Sequence, residues 1–252
     1  MNFGVIMKKN AKVIVVMPAY NAAKTLEKTL KDIPMGYVDD IILVDDCSKD
    51  NTVELSKKLG LKTIVHKVNK GYGGNQKTCY KAALKIGADV IVMLHPDYQY
   101  NPKKIPQIIK PILQGKADVV YGSRMLIKNG AAKGGMPAYK IFGNRMLSKF
   151  YNIMLGTNLT DVPTGYIAYS RKVLKTIPFI RNSDGFTFDE EAIIQCVDKN
   201  FRFVEIPIST RYERASSSID FVGSIEYGAI LFFSIIKYKL HKLGLIKFKL
   251  VD

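Results

Sequence analysis

Short apolar runs alternate with amphipathic stretches along the first half of the chain. The runs are nearly all apolar and rich in β-branched residues, which predicts strands buried on both faces of a parallel sheet. The predicted strands cover residues 12–17, 40–44, 62–66, 90–94 and 118–122, and the predicted helices cover 24–31, 51–59, 75–86 and 102–114. Strands that alternate with helices indicate crossover units, so the expected fold class is α/β, with a mostly parallel sheet flanked by helices.

The second half of the chain is less regular but has periodic segments of its own. The predicted elements are an amphipathic helix over 138–155, a strand near 165–170, a helix over 188–198, a strand over 203–208 and a basic amphipathic helix over about 219–243. No linker rich in Pro, Gly and Ser divides the chain into independent units. We therefore expect the second half to pack against the first.

The chain is strongly basic, with 38 Lys and Arg against 22 Asp and Glu and a formal net charge of +16. Such a charge attracts phosphates, nucleic acid or an anionic membrane surface, without choosing among them. The three cysteines lack the spacing of disulfides or zinc sites, which favours buried thiols in a reducing cytosol. Residues 1–10 lack the apolar core of a secretory signal, and the apolar run 227–236 falls short of the roughly 20 residues of a membrane span. The expected location is the cytoplasm, either free or at the inner face of the cell membrane.

Polar, acidic or glycine-rich residues follow every predicted strand of the first half. Ligands of open parallel sheets bind beyond the carboxyl ends of the strands, where loops converge and helix N-termini expose amides. Shared chemistry at one rim is therefore expected, although each loop alone also fits a plain role such as capping a helix or turning the chain. The candidate rim residues are Pro18, Tyr20, Asn21, Asp45, Asp46, Gly71, Gly74, Lys77, His95, Asp97, Gln99 and Arg124.

The residue types at this rim suit a nucleotide diphosphate. Asp46 offers a carboxylate to a base or ribose, and the glycine-rich turn with Lys77 nearby would let the backbone approach the nucleotide. Asp97 and Gln99 offer oxygen ligands for Mg²⁺ or Mn²⁺, and His95 offers a nitrogen that Mn²⁺ tolerates. A metal ion at this place would neutralise charge on a departing diphosphate.

Several ordered segments together resemble the family 2 glycosyltransferases with the GT-A fold, particularly the dolichyl-phosphate mannosyltransferase-like branch. The segments are VVMPAYNA, ILVDDCSKDNT, NKGYGGNQKT, VIVMLHPDYQYNP, VVYGSR, DVPTGYIAYSR, GFTFDEE and VEIPISTRY. The resemblance spans most of the chain. It implies a Rossmann-like GT-A sheet, a UDP- or GDP-linked sugar donor, inverting transfer and a divalent metal ion. The domain would cover 1–218, with a nucleotide-binding half at about 11–124 and an acceptor half at about 125–218, followed by a basic helix and tail over 219–252.

One position departs from the family pattern. The resemblance puts His95 where the first Asp of the family's Asp-x-Asp motif belongs, whereas Asp97 keeps the second and Gln99 matches a metal-binding Gln two residues further on. Asp97 and Gln99 are therefore the better metal ligands. For His95 the alternative is a ring that packs at the strand end.

Inverting transfer to an alcohol needs a base near the acceptor hydroxyl, whereas an ionised phosphate acceptor needs none. Asp189 is the candidate base and Glu190 and Glu191 are its neighbours, unless these acids only favour the first turn of a helix. Glu191 and Asp161 are counted with Asp189 as catalytic candidates. Asp161 is either an acceptor contact or a turn residue. Guanidinium groups bind phosphate with paired donors, so three arginines are candidates for the diphosphate or a phosphorylated acceptor. They are Arg124, Arg211 and Arg214.

The leading hypothesis is transfer of a hexose to a lipid-linked phosphate, such as a polyprenyl phosphate. Transfer to a saccharide hydroxyl in glycan synthesis and sugar-nucleotide binding without turnover are the alternatives. A nucleic-acid-binding module is supported by charge alone, and the acidic strand ends would repel a phosphate backbone, so no nucleic acid partner is expected. The basic C-terminal helix suits an anionic membrane surface, or else packs its apolar face on the domain.

Overall fold

The computed structural model describes residues 11–211 and 221–252, and a seven-stranded sheet is the centre of this part of the chain. The strands are β1 (Val13–Ala19), β2 (Asp40–Asp45), β3 (Lys62–Val65), β4 (Val90–Met93), β5 (Val119–Ser123), β6 (Ile167–Ser170) and β7 (Phe203–Pro207). Their spatial order is β3-β2-β1-β4-β6-β5-β7. β6 runs antiparallel to β4 and β5, and the other pairs are parallel. The expected mixed, mostly parallel sheet is confirmed.

Nine α-helices flank the sheet in the described residues. They are α1 (Ala23–Lys31), α2 (Thr52–Lys58), α3 (Gly71–Lys85), α4 (Ile105–Leu113), α5 (Gly130–Lys133), α6 (Ala138–Leu155), α7 (Arg171–Thr176), α8 (Phe188–Asp198) and α9 (Phe221–Lys242). The predicted bounds of α6 and α8 match those observed. The short helices α5 and α7 were not expected, and α3 begins four residues before the predicted start.

The central strands bury both of their faces, as their continuous apolar runs predict. Alternate side chains of β1 and β4 join two separate clusters, one under α3, α8 and α9 and the other under α1 and α4. The same prediction is wrong for β3, where Ile64 is 37% and Val65 is 47% exposed. β3 is the edge strand and pairs with β2 alone, so its apolar residues have less of the fold to cover them.

Strand order decides where ligands can bind. The chain departs in opposite directions from β1, to β2 on one side and β4 on the other, which creates a topological switch point at their carboxyl ends. Because β6 is antiparallel, the residues before it lie at the same edge as the residues after β4 and β5. The reversal of this strand therefore brings residues 161–165 to the rim.

The first turn of α3 packs tightly against residues 183–185, just before α8. The Gly73 amide donates to the Asp184 carbonyl at 2.8 Å. A Cβ at Gly73 would lie 2.2 Å from the Ser183 carbonyl oxygen, and one at Gly71, whose φ is +80°, would lie 2.6 Å from that of Asp184. The glycine-rich turn thus makes room for protein backbone. The interpretation that this space admits a nucleotide is corrected, because residues 183–185 fill it.

We predict that Gly73→Ala lowers the free energy of unfolding by about 1–3 kcal/mol, because the added methyl group overpacks this contact. Glycine to alanine in an open helix would have the opposite sign. The matched control is Gly36→Ala, since a Cβ at Gly36 meets nothing within 4 Å. Urea unfolding of both variants measures the effect, and equal midpoints for the two would contradict the packing argument.

Candidate active site

A pocket of about 620 Å³ opens at the carboxyl edge of the sheet. Its walls come from the turn after β4, the residues before β6, and helices α3, α6, α8 and α9. Six of its lining residues are His95, Asp97, Gln99, Arg124, Asp189 and Glu190. Segments separated by about a hundred residues in sequence therefore meet in one cavity, which is the size of a ligand site.

The turn after β4 presents alternate side chains to this pocket. His95, Asp97 and Gln99 are partly exposed and line it, whereas Pro96 and Tyr98 between them are buried and do not; Tyr100, which follows, is buried and also lines the pocket. The backbone amide of Gln99 donates to Asp97 Oδ1 at 3.0 Å. Desolvation by the surrounding protein lowers the pKa of His95, and the charge of Asp97 opposes that shift, so the imidazole favours its neutral form.

These three side chains form a donor set that fits a divalent metal ion. No group of three His, Cys, Asp or Glu residues that could hold a metal ion lies within 11–211 and 221–252, so the protein does not form a complete cage there. One carboxylate with neutral donors is the usual protein share of a Mg²⁺ or Mn²⁺ site that substrate phosphates complete, and the imidazole favours Mn²⁺. Asp97, Gln99 and His95 would hold the ion, and the ion would neutralise charge on the leaving diphosphate.

Tyr98 anchors the turn from outside the pocket. Its φ of 61° is unusual for a bulky residue. Its hydroxyl donates to Asp32 at 2.5 Å, and Lys28 and the Arg211 guanidinium lie 4.2 and 4.6 Å from the ring centroid. Arg211 is absent from the pocket lining and lies on the Tyr98 ring, so its contact with a diphosphate stays a prediction. Arg214, its predicted companion, lies outside the described residues.

Arg124 and Asp161 form a buried ion pair at the pocket wall. The Arg124 guanidinium donates to both Asp161 oxygens at 2.7 Å, and its backbone amide donates to Asp161 Oδ2 at 2.8 Å. Glu205 accepts from the amides of Thr160 and Asp161 and so fixes this segment. Asp161, predicted to be catalytic, is fully buried against Arg124 and does not line the pocket. Its role is therefore to hold the guanidinium in place.

Two adjacent carboxylates of α8 line the pocket. Asp189 Oδ2 accepts from the Tyr72 hydroxyl at 2.7 Å and from the Gln76 amide at 3.1 Å, and Glu190 accepts from the Tyr227 hydroxyl. Asp189 Oδ1 and Glu190 Oε2 are buried without a partner in the described residues. Burial raises the pKa of Asp189 to about 6, against the hydrogen bonds from Tyr72 and Gln76, and raises that of Glu190 well above its usual value. One unpaired oxygen on each acid therefore remains to hydrogen-bond with hydroxyl groups of a ligand.

Glu191, predicted as a catalytic acid, does not line the pocket. Its carboxylate accepts from the Ser183 amide at 2.6 Å and from the Thr187 hydroxyl at 3.3 Å, so it stabilises the segment before α8. Glu190 and Tyr72 occupy the pocket instead and were missed as site residues. The sequence carries no signal that separates the acids of α8, because the helix is buried on all sides from Phe188 to Cys196.

Asp46, at the end of β2, forms hydrogen bonds with several residues that follow β3. Its carboxylate accepts from the backbone amides of Lys70 and Gly71 at 2.8 and 3.0 Å, and contacts His66 Nδ1 at 2.7 Å. Its neighbour Asp45 accepts from the Ser48 amide, and its buried Oδ1 has no partner in the described residues. Asp46 therefore orders the turn into α3, which is a structural role beside the predicted contact with a ribose or base.

The loops after β1 and β2 are joined to each other. Asn21, with a φ of 50°, accepts from the Lys49 amide at 2.8 Å and donates its own amide to Ser48 at 2.8 Å. Tyr20 is 51% exposed beside it, whereas Pro18 is buried within β1. Pro18 therefore has little exposed surface, and its contact with a nucleotide stays a prediction.

The three cysteines differ in burial. Cys79 and Cys196 are buried as expected, but Cys47 is partly exposed, because it lies in the loop after β2 with a φ of 64°.

Lys77, predicted to lie near the nucleotide, donates to the Asn182 carbonyl and to Asp184 at 2.7 Å. It therefore reinforces the contact between α3 and residues 183–185.

The raised pKa of Asp189 predicts a pH-dependent stability. Between its ordinary value of 3.8 and about 6, the folded protein holds a proton on Asp189 that the unfolded chain has released, so stability falls as the pH rises through this window. Asp189→Asn lacks this loss. Relative to wild type, the free energy of unfolding of Asp189→Asn should rise by about 2–3 kcal/mol between pH 4 and pH 7. Urea unfolding of metal-free protein across this range measures the difference, and parallel curves would refute it.

Comparison with known proteins agrees with this geometry. Residues 14–177 match Glycosyl transferase family 2. The chain is 30% identical to the UDP-N-acetylglucosamine--dolichyl-phosphate N-acetylglucosaminyltransferase of Methanococcus voltae, over 91% of this chain and 97% of that protein. It is 28% identical to the undecaprenyl-phosphate mannosyltransferase of Micrococcus luteus, over 87% and 91%.

Among solved structures, the fold is similar to that of glucosyl-3-phosphoglycerate synthase from Mycobacterium tuberculosis, crystallised with Mn²⁺, UDP and glucosyl-3-phosphoglycerate. The TM-score is 0.67 at 19% identity, over 96% of this chain and 83% of that one. The motif order of the sequence had implied the same fold and the same branch of enzymes. The chain belongs to glycosyl transferase family 2 and is a glycosyltransferase with the GT-A fold.

Proposed function

We propose that the chain transfers a hexose, with inversion, from a UDP- or GDP-linked donor to a polyprenyl phosphate at a membrane surface. The relatives from Methanococcus voltae and Micrococcus luteus are named for dolichyl-phosphate and undecaprenyl-phosphate acceptors. The pocket supports the same class of reaction, because it combines a fitting metal donor set with unpaired carboxylate oxygens.

The observation that supports a lipid acceptor is an exposed apolar surface on two helices that line the pocket. Helices α6 and α9 both line the pocket and contact each other, with Phe150 stacked on Phe232 at 5.2 Å. Their outer faces expose Phe142 at 67%, Ile153 at 71% and Phe233 at 60%. An exposed apolar surface on two helices that also line the pocket suits an acceptor whose phosphate enters the pocket while its chain stays in lipid.

The donor would lie along the carboxyl ends of β2, β1 and β4. Its nucleoside would rest near Asp46, Tyr20 and Asn21, and its diphosphate would approach Asp97 and the metal ion. The adjacent ends of these three strands support that path. Whether the base is uracil or guanine is for binding measurements to decide.

The remaining residues have roles that follow from their unpaired or charged groups. Asp189 Oδ1 and Glu190 Oε2 would form hydrogen bonds with hexose hydroxyls, which removes the cost of leaving them buried and unpaired. Arg124, held by Asp161, would face the diphosphate or the acceptor phosphate. Each group would thus orient a ligand without itself forming a covalent bond.

A saccharide hydroxyl is the second candidate acceptor, and one observation favours it. An alcohol needs a base, and Asp189, which burial brings to a pKa of about 6, is in the pocket and suited to accept a proton near neutral pH. An ionised phosphate has no proton to lose. The two acceptors therefore differ in whether they need Asp189.

Metal-dependent nucleotide binding tests the proposed function most directly. We expect calorimetry to detect UDP or GDP binding with Mn²⁺ present and a loss of at least about tenfold in affinity for Asp97→Ala, because the only carboxylate of the donor set is removed. The control is Asp40→Asn, at the opposite end of β2. Wild-type protein that binds neither nucleotide with Mn²⁺ would overturn the enzymatic proposal, and binding without turnover would indicate a non-catalytic family member.

The need for a base distinguishes the acceptors. Asp189→Asn retains an oxygen that can accept from Tyr72 and Gln76, so the variant preserves the local hydrogen bonds. With a polyprenyl phosphate acceptor, we expect its turnover to fall by about tenfold or less, which is the cost of changing one hydrogen bond to the hexose. A loss of about 10²–10⁴-fold would indicate general base catalysis and support a hydroxyl acceptor.

Membrane attachment is part of the proposal, together with the location it implies at the inner face of the membrane. No helix in residues 11–211 and 221–252 has both the length and the apolar character to cross a bilayer. On one side, α9 packs Leu231, Ile235 and Tyr238 into the core, while basic residues occupy its last turn. It therefore combines packing on the domain with an outward surface that suits an anionic interface.

We expect the double substitution Phe142→Ser and Phe233→Ser to weaken binding to vesicles that contain anionic lipid by about tenfold or more, since each phenylalanine adds about 1.5–3 kcal/mol when buried. Met35→Ser is the control, because Met35 is 55% exposed and lies before the start of β2, at the opposite edge of the sheet. Vesicle sedimentation measures the effect. Equal loss in both variants, or no binding by wild type, would exclude this surface.

A further inference from the structure

Tyr72, in the first turn of α3, lies between two functional groups of the pocket. Its ring stacks on the His95 ring, with centroids 5.3 Å apart and planes 12° apart. Its hydroxyl oxygen is 2.7 Å from Asp189 Oδ2 and 3.3 Å from His95 Nε2. One hydroxyl group therefore bridges the metal-site histidine and the carboxylate of α8.

The direction of these hydrogen bonds follows from counting protons. A tyrosine hydroxyl has one proton to donate. Asp189 Oδ2 accepts from Gln76 Nε2 at 3.1 Å, and Gln76 Oε1 in turn accepts from the Tyr80 hydroxyl at 2.9 Å, which fixes the amide orientation. Oδ2 is thus an acceptor of two bonds, and the Tyr72 proton points to it. The Tyr72 oxygen can then only accept from His95, so His95 Nε2 carries a proton.

A neutral imidazole protonated at Nε2 has its lone pair on Nδ1. Within the described part of the chain, the hydrogen bonds of His95 involve Nε2 alone, and the ring lines the pocket. We propose that Tyr72 is a positioning residue that holds His95 in the Nε2–H tautomer and thereby presents Nδ1 to the divalent cation. This inference rests on the proposed metal-dependent function. Metal-binding histidines commonly donate their other N–H to a fixed partner, which orients the ring and selects the tautomer.

The surroundings hold the pair in this arrangement. Phe186 contacts the Tyr72 ring with centroids 5.2 Å apart. A Cβ on Gly165 would lie 3.1 Å from His95 Nε2 and 3.3 Å from the Tyr72 hydroxyl oxygen, so the absence of a side chain there leaves the bridge just enough room. The stack, the hydrogen bonds and this close wall all restrict rotation of the His95 ring.

The test combines a direct view of the tautomer with a measurement of metal affinity. The chain has three histidines, so labelling with ¹⁵N-histidine and comparison with His95→Gln identify the His95 signals. Long-range ¹H–¹⁵N spectra of the metal-free wild type should show a protonated Nε2 and an unprotonated Nδ1. In Tyr72→Phe the preference should be lost, because the acceptor for the Nε2 proton is removed.

Mn²⁺ affinity, measured by electron paramagnetic resonance with UDP and in parallel with GDP, should fall about tenfold or more in Tyr72→Phe. Tyr121→Phe is the matched control, since it removes a buried tyrosine hydroxyl of β5 that does not line the pocket, and its affinity should equal that of wild type. Circular dichroism verifies that both variants are folded.

A protonated Nδ1 in wild type, or equal Mn²⁺ affinities in wild type and Tyr72→Phe, would overturn the assignment. If wild type binds no Mn²⁺ with either nucleotide, the proposed function fails and the assignment fails with it. If wild type binds Mn²⁺ but Tyr72→Phe binds it equally well, the assignment alone fails.

Discussion

The contact between the first turn of α3 and residues 183–185 is the constraint on which the rest of the site depends. At one end, the amides of this turn bind Asp46 at the rim of β2. At the other, Gly73 and Lys77 hold the segment that leads into α8. Tyr72 and Gln76, on the same helix, reach Asp189. One short stretch of helix thus sets the distance between Asp46, at the end of β2, and the acids of the pocket.

The electrostatics of the pocket differ from those of the whole protein. The chain has a net charge of +16, yet the pocket lining includes three acids, Asp97, Asp189 and Glu190, against the two bases Arg124 and Lys140. Arg124 is itself paired with Asp161. The diphosphate of the proposed donor would meet only these two bases, one of them already paired, and the proposed divalent cation would supply the further counter-charge. The surplus lysines lie mainly elsewhere, where they can attract anionic partners over longer distances.

Prediction from sequence succeeded where burial follows a simple period. The apolar runs of β1 and β4 predicted strands covered on both faces, and the polar turn after β4 was correctly expected at the rim, where His95, Asp97 and Gln99 line the pocket. It failed for β3, because an apolar run does not reveal that a strand lies at a sheet edge. It also failed to separate Glu190 from Glu191, because a helix buried on all sides has no polar face that indicates direction.

The amino-acid sequence by itself determined the family, the α/β class, the strand ends that carry chemistry and the turn that offers metal ligands, because these depend on local periodicity and on residue types in a fixed order. Only the tertiary structure decided the partners: Arg124 with Asp161, Arg211 with Tyr98, and the glycines of α3 with residues 183–185. It also brought Tyr72 between His95 and Asp189. Such pairings join residues up to 117 positions apart, and the antiparallel β6 and the spatial order of the strands, which no local pattern encodes, bring them together.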